Sequence, residues 1–205
     1  MKLHWSPRSP FVRKVMVCAH ELGMVERIEI VRSLVAITAP NHDLMRDNPL
    51  SKIPTLLTDD GMKLFDSYVI CEYLDALGGK ARLFPAGGPD RWRALRWHAL
   101  GNCLLDMLIL FRNERDRPEG TRSKVHLDAY AEKTLSTLNA LDRVEIDALE
   151  GAQFSIGHIT IGVALGYLDF RFGDLGWRDG RAKAAAWYGQ IALRASMRAT
   201  VPVDA

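Results

Sequence analysis

Asn48-Pro49-Leu50-Ser51-Lys52-Ile53-Pro54-Thr55-Leu56, followed by Phe65-Asp66-Ser67, is the stretch whose reading decides the fold. The first segment is a loop that enters a strand through a proline. The second sets an acid and a hydroxyl where a helix should begin. Between them, Leu56-Leu57-Thr58 and Met62-Lys63-Leu64 flank Asp59-Asp60-Gly61, a hairpin signal. A free backbone edge, a carboxylate and a helix N-terminus would then share one small volume. Those groups suit an extended peptide carrying charges of both signs. A small-peptide-binding enzyme is the first hypothesis.

The flanking sequence alternates element types. Lys2 to Trp5 reads as a strand; Val12, Val15, Met16, Ala19 and Leu22 recur at helical spacing, with Gly23 as a stop. Arg27 to Val31 reads as a second strand, and this βαβ opening implies a parallel pair. A short polar helix is expected near Asn41 to Asp47. Another should run from Ser67 to Leu77, closed by Gly78-Gly79. Gly78 to Pro89 holds four glycines and two prolines and reads as a linker. Beyond it no credible strand is found. Asp90 should cap a helix ending near Pro118, a second long helix should span roughly Ser123 to Leu149, a third should start at Ser155, and a fourth should occupy Gly180 to Arg194. The expected order is an α/β unit over 1–77, a linker over 78–89 and an all-α helical unit over 90–205.

Composition narrows the function classes. The 205 residues carry 27 Lys and Arg against 25 Asp and Glu, a net charge of +2, with no dense basic face, so a nucleic-acid partner is disfavoured. Met1 to Trp5 lacks the apolar core of a signal peptide. Phe154 to Phe170 is strongly apolar but falls short of about 20 residues and contains His158, so it reads as a buried helix and not a membrane span. Cys18, Cys71 and Cys103 form no CxxC pair and are expected to be small buried hydrophobes of a cytoplasmic protein. The six histidines form no ligand cluster, so no metal site is expected. Trp92, Trp97, Trp177 and Trp187 read as packing residues, and Gly162 with Gly166 as a close helix contact.

Three further stretches carry a resemblance: Ser9-Pro10-Phe11-Val12-Arg13-Lys14-Val15, the Asn48 to Leu56 segment, and Gly162 to Arg171. With β-α-β-α-β-β-α before an all-α unit, the chain resembles a thioredoxin-like domain joined to a helical bundle. In its motifs it is similar to a bacterial branch of the cytosolic glutathione S-transferases that carries an N-terminal serine. The likeness covers nearly the whole chain. It implies a thioredoxin-like N-terminal domain that binds glutathione as co-substrate and an all-α domain that contributes the site of a small hydrophobic electrophile. It also implies a detoxifying transferase and a homodimer.

Residue by residue, two readings stand side by side. Ser9 is by type a helix cap; the resemblance implies a hydroxyl donating to the glutathione sulfur, with Ser6 as the competing hydroxyl. A bond to a charged group contributes about 1.5–3 kcal/mol and a helix terminus about 0.3–1. Together they could lower a thiol pKa of about 8.5 by roughly one to three. Ser6-Pro7-Arg8-Ser9 contains no thiol, so the reactive sulfur must come with the substrate. Ile53-Pro54 reads as a trans proline at a strand start, whereas the resemblance implies a cis bond and an Ile53 backbone that pairs with the cysteinyl unit. Lys52 is a solvated loop lysine or a partner of the glycyl carboxylate. Asp66 and Ser67 are an ordinary cap or, in the family reading, the sites of the glutamyl ammonium and carboxylate. Arg8, Phe11, Asn102, Asp106 and Arg112 are candidates for the electrophile cleft between the domains, although a solvated stripe on the long helix or interhelical hydrogen bonds explain the last three as well. A glutathione-dependent peroxidase or reductase, or a non-catalytic binding or regulatory module, is the alternative.

One departure concerns stability. Ser155-Ile156-Gly157-His158 puts histidine where a capping box holds an acid. A neutral imidazole could accept the first-turn N–H, but a protonated one would oppose the helix dipole, so His158→Asp is expected to raise the melting temperature, more so at lower pH.

Overall fold

The computed structural model describes residues 1–78 and 82–204. The chain divides into two units, Met1–Gly88 with Ala195–Ala205, and Pro89–Arg194. The first contains β1 (Lys2–Trp5), α1 (Pro10–Leu22), β2 (Glu29–Arg32), α2 (His42–Met45), β3 (Thr55–Leu57), β4 (Lys63–Leu64) and α3 (Ser67–Ala76). Its four strands lie in the order β2-β1-β3-β4, with β1 parallel to β2 and antiparallel to β3, and β3 antiparallel to β4. This is the expected α/β arrangement. The second strand starts later than the sequence suggested, because Val25–Arg27 closes as a single tight turn.

Helix α1 ends as its Gly23 predicts, in the left-handed region at φ 69°, where only glycine is free of Cβ strain. Val12, Val15 and Ala19 on α1, Leu3 and Leu56 in the sheet, and Ile70 and Leu74 on α3 are fully buried. At about 25 cal/mol per Å² of apolar surface, each large side chain among them contributes about 1.5–3 kcal/mol relative to exposure. The hairpin closes as read: Thr58 donates its N–H to the Met62 carbonyl at 3.0 Å, and Gly61 takes φ 89°. Gly78 follows α3 at φ 84°, while Gly79 of the expected helix stop lies outside the described residues. The C-terminal segment departs from the expected 90–205 unit. Helix α9 (Ala195–Arg198) lies in the first unit and contacts α1: Arg13 donates Nη2 to the Met197 carbonyl at 3.3 Å, and Ser196 Oγ donates to Glu21 at 2.5 Å.

The second unit is built from α4 (Gly88–Arg115), α5 (Lys124–Ala140), α6 (Ile146–Glu150), α7 (Ile156–Arg171) and α8 (Ala182–Ala192). Helix α4 starts at Gly88, so Asp90 is a first-turn residue paired with Arg93 at 2.9 Å and not the cap. By length and composition α4 could cross a membrane, but Ala94, Trp97, His98, Gly101, Leu104, Leu105, Leu108 and Phe111 form a buried stripe at helical spacing, the pattern of a core helix. The expected single helix over 123–149 is interrupted. A wide turn at Leu141–Glu145 brings Glu145 to the Arg96 guanidinium and to Trp97 Nε1, 2.8 Å away. A buried carboxylate needs such donors, and three N–H groups supply them. Residues Ile156 to Leu168 of α7 are all buried. A Cβ on Gly157 would come within 2.7 Å of the Trp97 Cβ, and one on Gly101 within 2.9 Å of Thr160. The close α4–α7 approach therefore rests on Gly101 and Gly157. Two other expectations fail: Trp92 is 70 % exposed, and Cys103 points to solvent while Cys18 and Cys71 are buried.

The head of α7 reverses the expectation for His158. Its Nδ1 accepts the Ser155 N–H at 3.2 Å and its Nε2 donates to the Leu149 carbonyl at 2.9 Å, so the neutral ring serves both partners. The ring is 4 % exposed and packs against Trp97, Phe154 and Trp187. Burial, with Arg194 nearby, pushes its pKa down, against the Leu149 carbonyl, which pulls it up. An aspartate would keep the first-turn acceptor but lose the Leu149 bond and the ring packing. His158→Asp is therefore expected to lower the melting temperature.

Candidate functional site

Strand register brings three segments to one end of the small sheet. His4 pairs with Thr55, so Pro54 comes level with Trp5 at the C-terminal end of β1. Leu56 pairs with Leu64, so Phe65 and Asp66 leave the sheet at the same end. Helices α1 and α3 start there, with Ser9 and Asp66 as their caps. Two positive helix termini therefore face one edge.

Ser9 is half-buried, and its Oγ accepts the Val12 N–H at 3.3 Å. A hydroxyl has one proton and two lone pairs; among the described residues the proton has no acceptor. Ser6 is buried, and its Oγ accepts the Arg8 N–H at 3.4 Å within the preceding turn. The Ile53–Pro54 bond is cis, as the family resemblance implies, and so is Phe65–Asp66, which nothing in the sequence signalled. Neither the N–H nor the C=O of Ile53 has a hydrogen-bond partner among the described residues, although the residue is 8 % exposed. Buried backbone groups are nearly always paired.

At the head of α3, Asp66 is exposed and accepts the Tyr68 N–H at 2.8 Å, leaving lone pairs open to solvent. Ser67 is 1 % exposed, and its Oγ is buried with no hydrogen-bond partner. Lys52 is exposed. Thus Ser9, Lys52, Ile53, Pro54, Asp66 and Ser67 stand at one sheet end. Arg8, exposed, and Phe11, half-buried, flank Ser9. Asn102, Asp106 and Arg112 lie on α4 in the other unit, where Asn102 donates to Asp106 at 3.4 Å and Arg112 to Asp116 at 3.0 Å. The Asn102–Asp106 spacing of four fits a stripe along one helix, whereas Arg112 is half-buried beside Tyr167 of α7, which fits an interhelical contact.

Two supporting groups escaped the sequence reading. Asn48 is 1 % exposed; its Nδ2 donates to the Lys52 carbonyl at 3.1 Å and to Thr55 Oγ1 at 3.0 Å, and its Oδ1 accepts the Leu50 N–H at 3.0 Å. His4 bridges Ser33 Oγ at 2.8 Å and Asp47 Oδ2 at 3.0 Å, while Lys63 reaches Asp47 Oδ1 at 3.0 Å. The hydrogen bond from His4, then that from Lys63, holds the Asp47 carboxyl below the usual range. The only sequence signal for either is a polar residue type within an otherwise apolar or turn segment. Among the described residues, no group of three or more His, Cys, Asp or Glu is placed to hold a metal.

Comparison with known proteins joins this geometry to a family. Residues 8–77 match the glutathione S-transferase N-terminal domain, and residues 124–190 the glutathione S-transferase C-terminal domain. The uncharacterized GST-like protein YibF of Escherichia coli K12 is 30 % identical over 206 residues, covering 100 % of both chains. A crystal structure of a glutathione transferase family member from Pseudomonas fluorescens Pf-5, with bound glutathione, is 41 % identical, covers 99 % of each chain and superposes with a TM-score of 0.95. A structure with bound S-(propanoic acid)-glutathione, from the same organism, is 38 % identical over 100 % of each chain, with a TM-score of 0.91. The proline-entered strand, the two capped helix heads and the helical unit fall within these matches from end to end. The chain belongs to the glutathione S-transferase family.

Proposed function

We propose that the protein binds glutathione at the sheet end described above and activates its thiolate for attack on a small hydrophobic electrophile. The observation that carries this is the set of unpaired groups left on one edge. Ser9 has an unused hydroxyl proton, Ile53 an unpaired amide and carbonyl, and Ser67 an orphaned Oγ beside the exposed Asp66 carboxylate. Each has a counterpart in the tripeptide. Ser9 donates to the sulfur, and Ile53 pairs with the cysteinyl unit as an added strand. Ser67 and the α3 terminus take the glutamyl carboxylate, and Asp66 its ammonium. Lys52 takes the glycyl carboxylate. The relatives crystallised with glutathione and with a glutathione substituted on sulfur support this reading.

In the reaction the thiol proton leaves to solvent, and the thiolate forms a carbon–sulfur bond as the electrophile either loses a leaving group with its electron pair or, in an addition, takes up a proton from solvent at the far atom of the opened bond. Ser9 does not ionise; it stabilises the anion, and holding both reactants together supplies the rest of the rate. Arg8 and Phe11, beside Ser9, meet the electrophile. The working form is a homodimer in the cytoplasm.

The test is titration of bound glutathione by its ultraviolet thiolate absorbance, in wild type and Ser9→Ala, followed by turnover on halides, epoxides, isothiocyanates and hydroperoxides. A thiol pKa lowered only in the wild type, with carbon–sulfur bond formation, supports the transferase. Turnover confined to hydroperoxides would make it a peroxidase, and binding with an unshifted thiol would make it a binding module.

A further inference from the structure

Two polar side chains flanking the loop, Asn48 and Thr55, converge on one atom. The Lys52 carbonyl accepts Asn48 Nδ2 at 3.1 Å and Thr55 Oγ1 at 2.9 Å. Asn48 also donates to Thr55 Oγ1 at 3.0 Å, closing a triangle, and both side chains are buried, at 1 % and 0 % exposure. That carbonyl belongs to the same peptide unit as the Ile53 N–H. The Lys52–Ile53 bond is trans, since the cis bonds among the described residues are Ile53–Pro54 and Phe65–Asp66. In a planar trans peptide the C=O and N–H point in opposite directions. Fixing the carbonyl into the Asn48–Thr55 bracket therefore aims the Ile53 N–H away from it, where no described residue accepts it.

Other contacts keep the bracket from turning as a body. The Asn48 N–H donates to the Leu44 carbonyl at 2.8 Å, its C=O accepts Ser51 N–H at 2.9 Å, and Ser51 Oγ accepts the Asn41 N–H at 2.8 Å. Ser51 itself sits at φ 52°, in the left-handed region that non-glycine residues rarely occupy. The loop is thus tied to α2 on one side and, through Thr55, to β3 on the other.

We infer that Asn48 and Thr55 are positioning residues for glutathione: they hold the Lys52–Ile53 peptide plane so that the Ile53 N–H is ready to donate to the cysteinyl carbonyl of the ligand. This rests on the glutathione reading above. Without the bracket the peptide plane is free to rotate, and the ligand must bear the cost of ordering it. The side chains touch neither the sulfur nor the peptide, so the effect appears in affinity and KM and leaves the thiolate pKa unchanged.

Thr55→Val keeps the shape of the side chain and removes its donor. It is expected to weaken glutathione about three- to tenfold, the worth of one hydrogen bond, with Thr55→Ser restoring affinity. Asn48→Ala is expected to cost more. A purely structural weakening is separated by a second ligand, glutathione with its cysteinyl carbonyl reduced to a methylene. The Thr55→Val penalty should vanish with that analogue, because the Ile53 N–H then has no acceptor to meet. An equal penalty with both ligands, or none with glutathione, would overturn the inference. A measurement without ligand guards the case in which binding fails. Nitrogen relaxation dispersion at the Ile53 amide should be flat in the wild type and show exchange in Thr55→Val. An amide equally rigid in both would sink the positioning role alone; a wild-type chain that does not bind glutathione would sink the functional reading.

Discussion

Three helices in this protein are capped by a serine, and two of them, α7 and α1, put it to opposite use. At the head of α7, Ser155 is 3 % exposed and its N–H is met by His158, whose other nitrogen serves the Leu149 carbonyl. At the head of α1, Ser9 is half-buried, satisfies the Val12 N–H and keeps its own proton unspent. One start is closed on itself and the other is left open. Capping chemistry alone therefore does not mark a site; what marks it is the inventory of groups the cap leaves unpaired.

The comparison breaks most visibly at His158. His158→Ala removes a buried ring and leaves the Leu149 carbonyl without its donor. A loss of about 3–5 kcal/mol is expected from the cavity and the orphaned acceptor together. Chemical denaturation should show it as a shifted midpoint, while glutathione affinity of the folded fraction stays at the wild-type value. Ser9→Ala should do the reverse. The cap costs about 1 kcal/mol of stability, but the lost bond to a thiolate, about 1.5–3 kcal/mol, should lower kcat/KM roughly ten- to a hundredfold and return the bound thiol pKa towards about 8.5. If the two variants moved stability and catalysis alike, the contrast between closed and open starts would be wrong.

Asp66 allows a finer cut, because it is both cap and proposed ligand group. Asn caps as well as Asp, so Asp66→Asn preserves the helix start and removes only the charge. Since the carboxylate is exposed, solvent screens it, and a loss of about three- to tenfold in glutathione affinity is expected by calorimetry. The loss should disappear for an analogue lacking the glutamyl ammonium.

Most of the fold was legible because its signals are local. Gly23 stops α1, Asp59-Asp60-Gly61 turns the hairpin, and a run from Ile156 to Leu168 with no charged residue announces a buried helix. What was missed depends on partners distant in sequence. The wide turn at Leu141–Glu145 exists because Glu145 meets Arg96 and Trp97, some fifty residues earlier, and helical periodicity carries no trace of that pairing. The attachment of α9 to α1 rests on the Arg13–Met197 and Ser196–Glu21 bonds, which no pattern near the C-terminus foretells. Within the candidate site, Ser9, Ile53, Asp66 and Ser67 were legible through the family's motifs. Asn48 was not, because an asparagine before proline reads as a turn residue whether or not its amide is buried. His158 shows the converse error: the sequence left both charge states open, and only the burial of the ring decides for the neutral one.

That neutrality has a consequence in solution. Burial lowers the folded-state pKa of His158 below its unfolded value of about 6.5. Above that pH both states carry a neutral ring and the contribution to stability is complete. As pH falls below about 6.5 the unfolded chain takes up a proton that the folded chain refuses, so stability declines, by at most about 1.4 kcal/mol per pH unit for one group. The depressed carboxyls of Asp47 and Glu145 act the same way, held down by His4 and Arg96 respectively, but their contribution is lost only nearer pH 4. The two windows are therefore separable. In His158→Gln, which has a donor and an acceptor but no titrating ring, the decline between about pH 6.5 and 5 should flatten while the loss near pH 4 persists. An unchanged slope in the upper window would mean that the ring at the head of α7 titrates freely, and that this helix start is open after all.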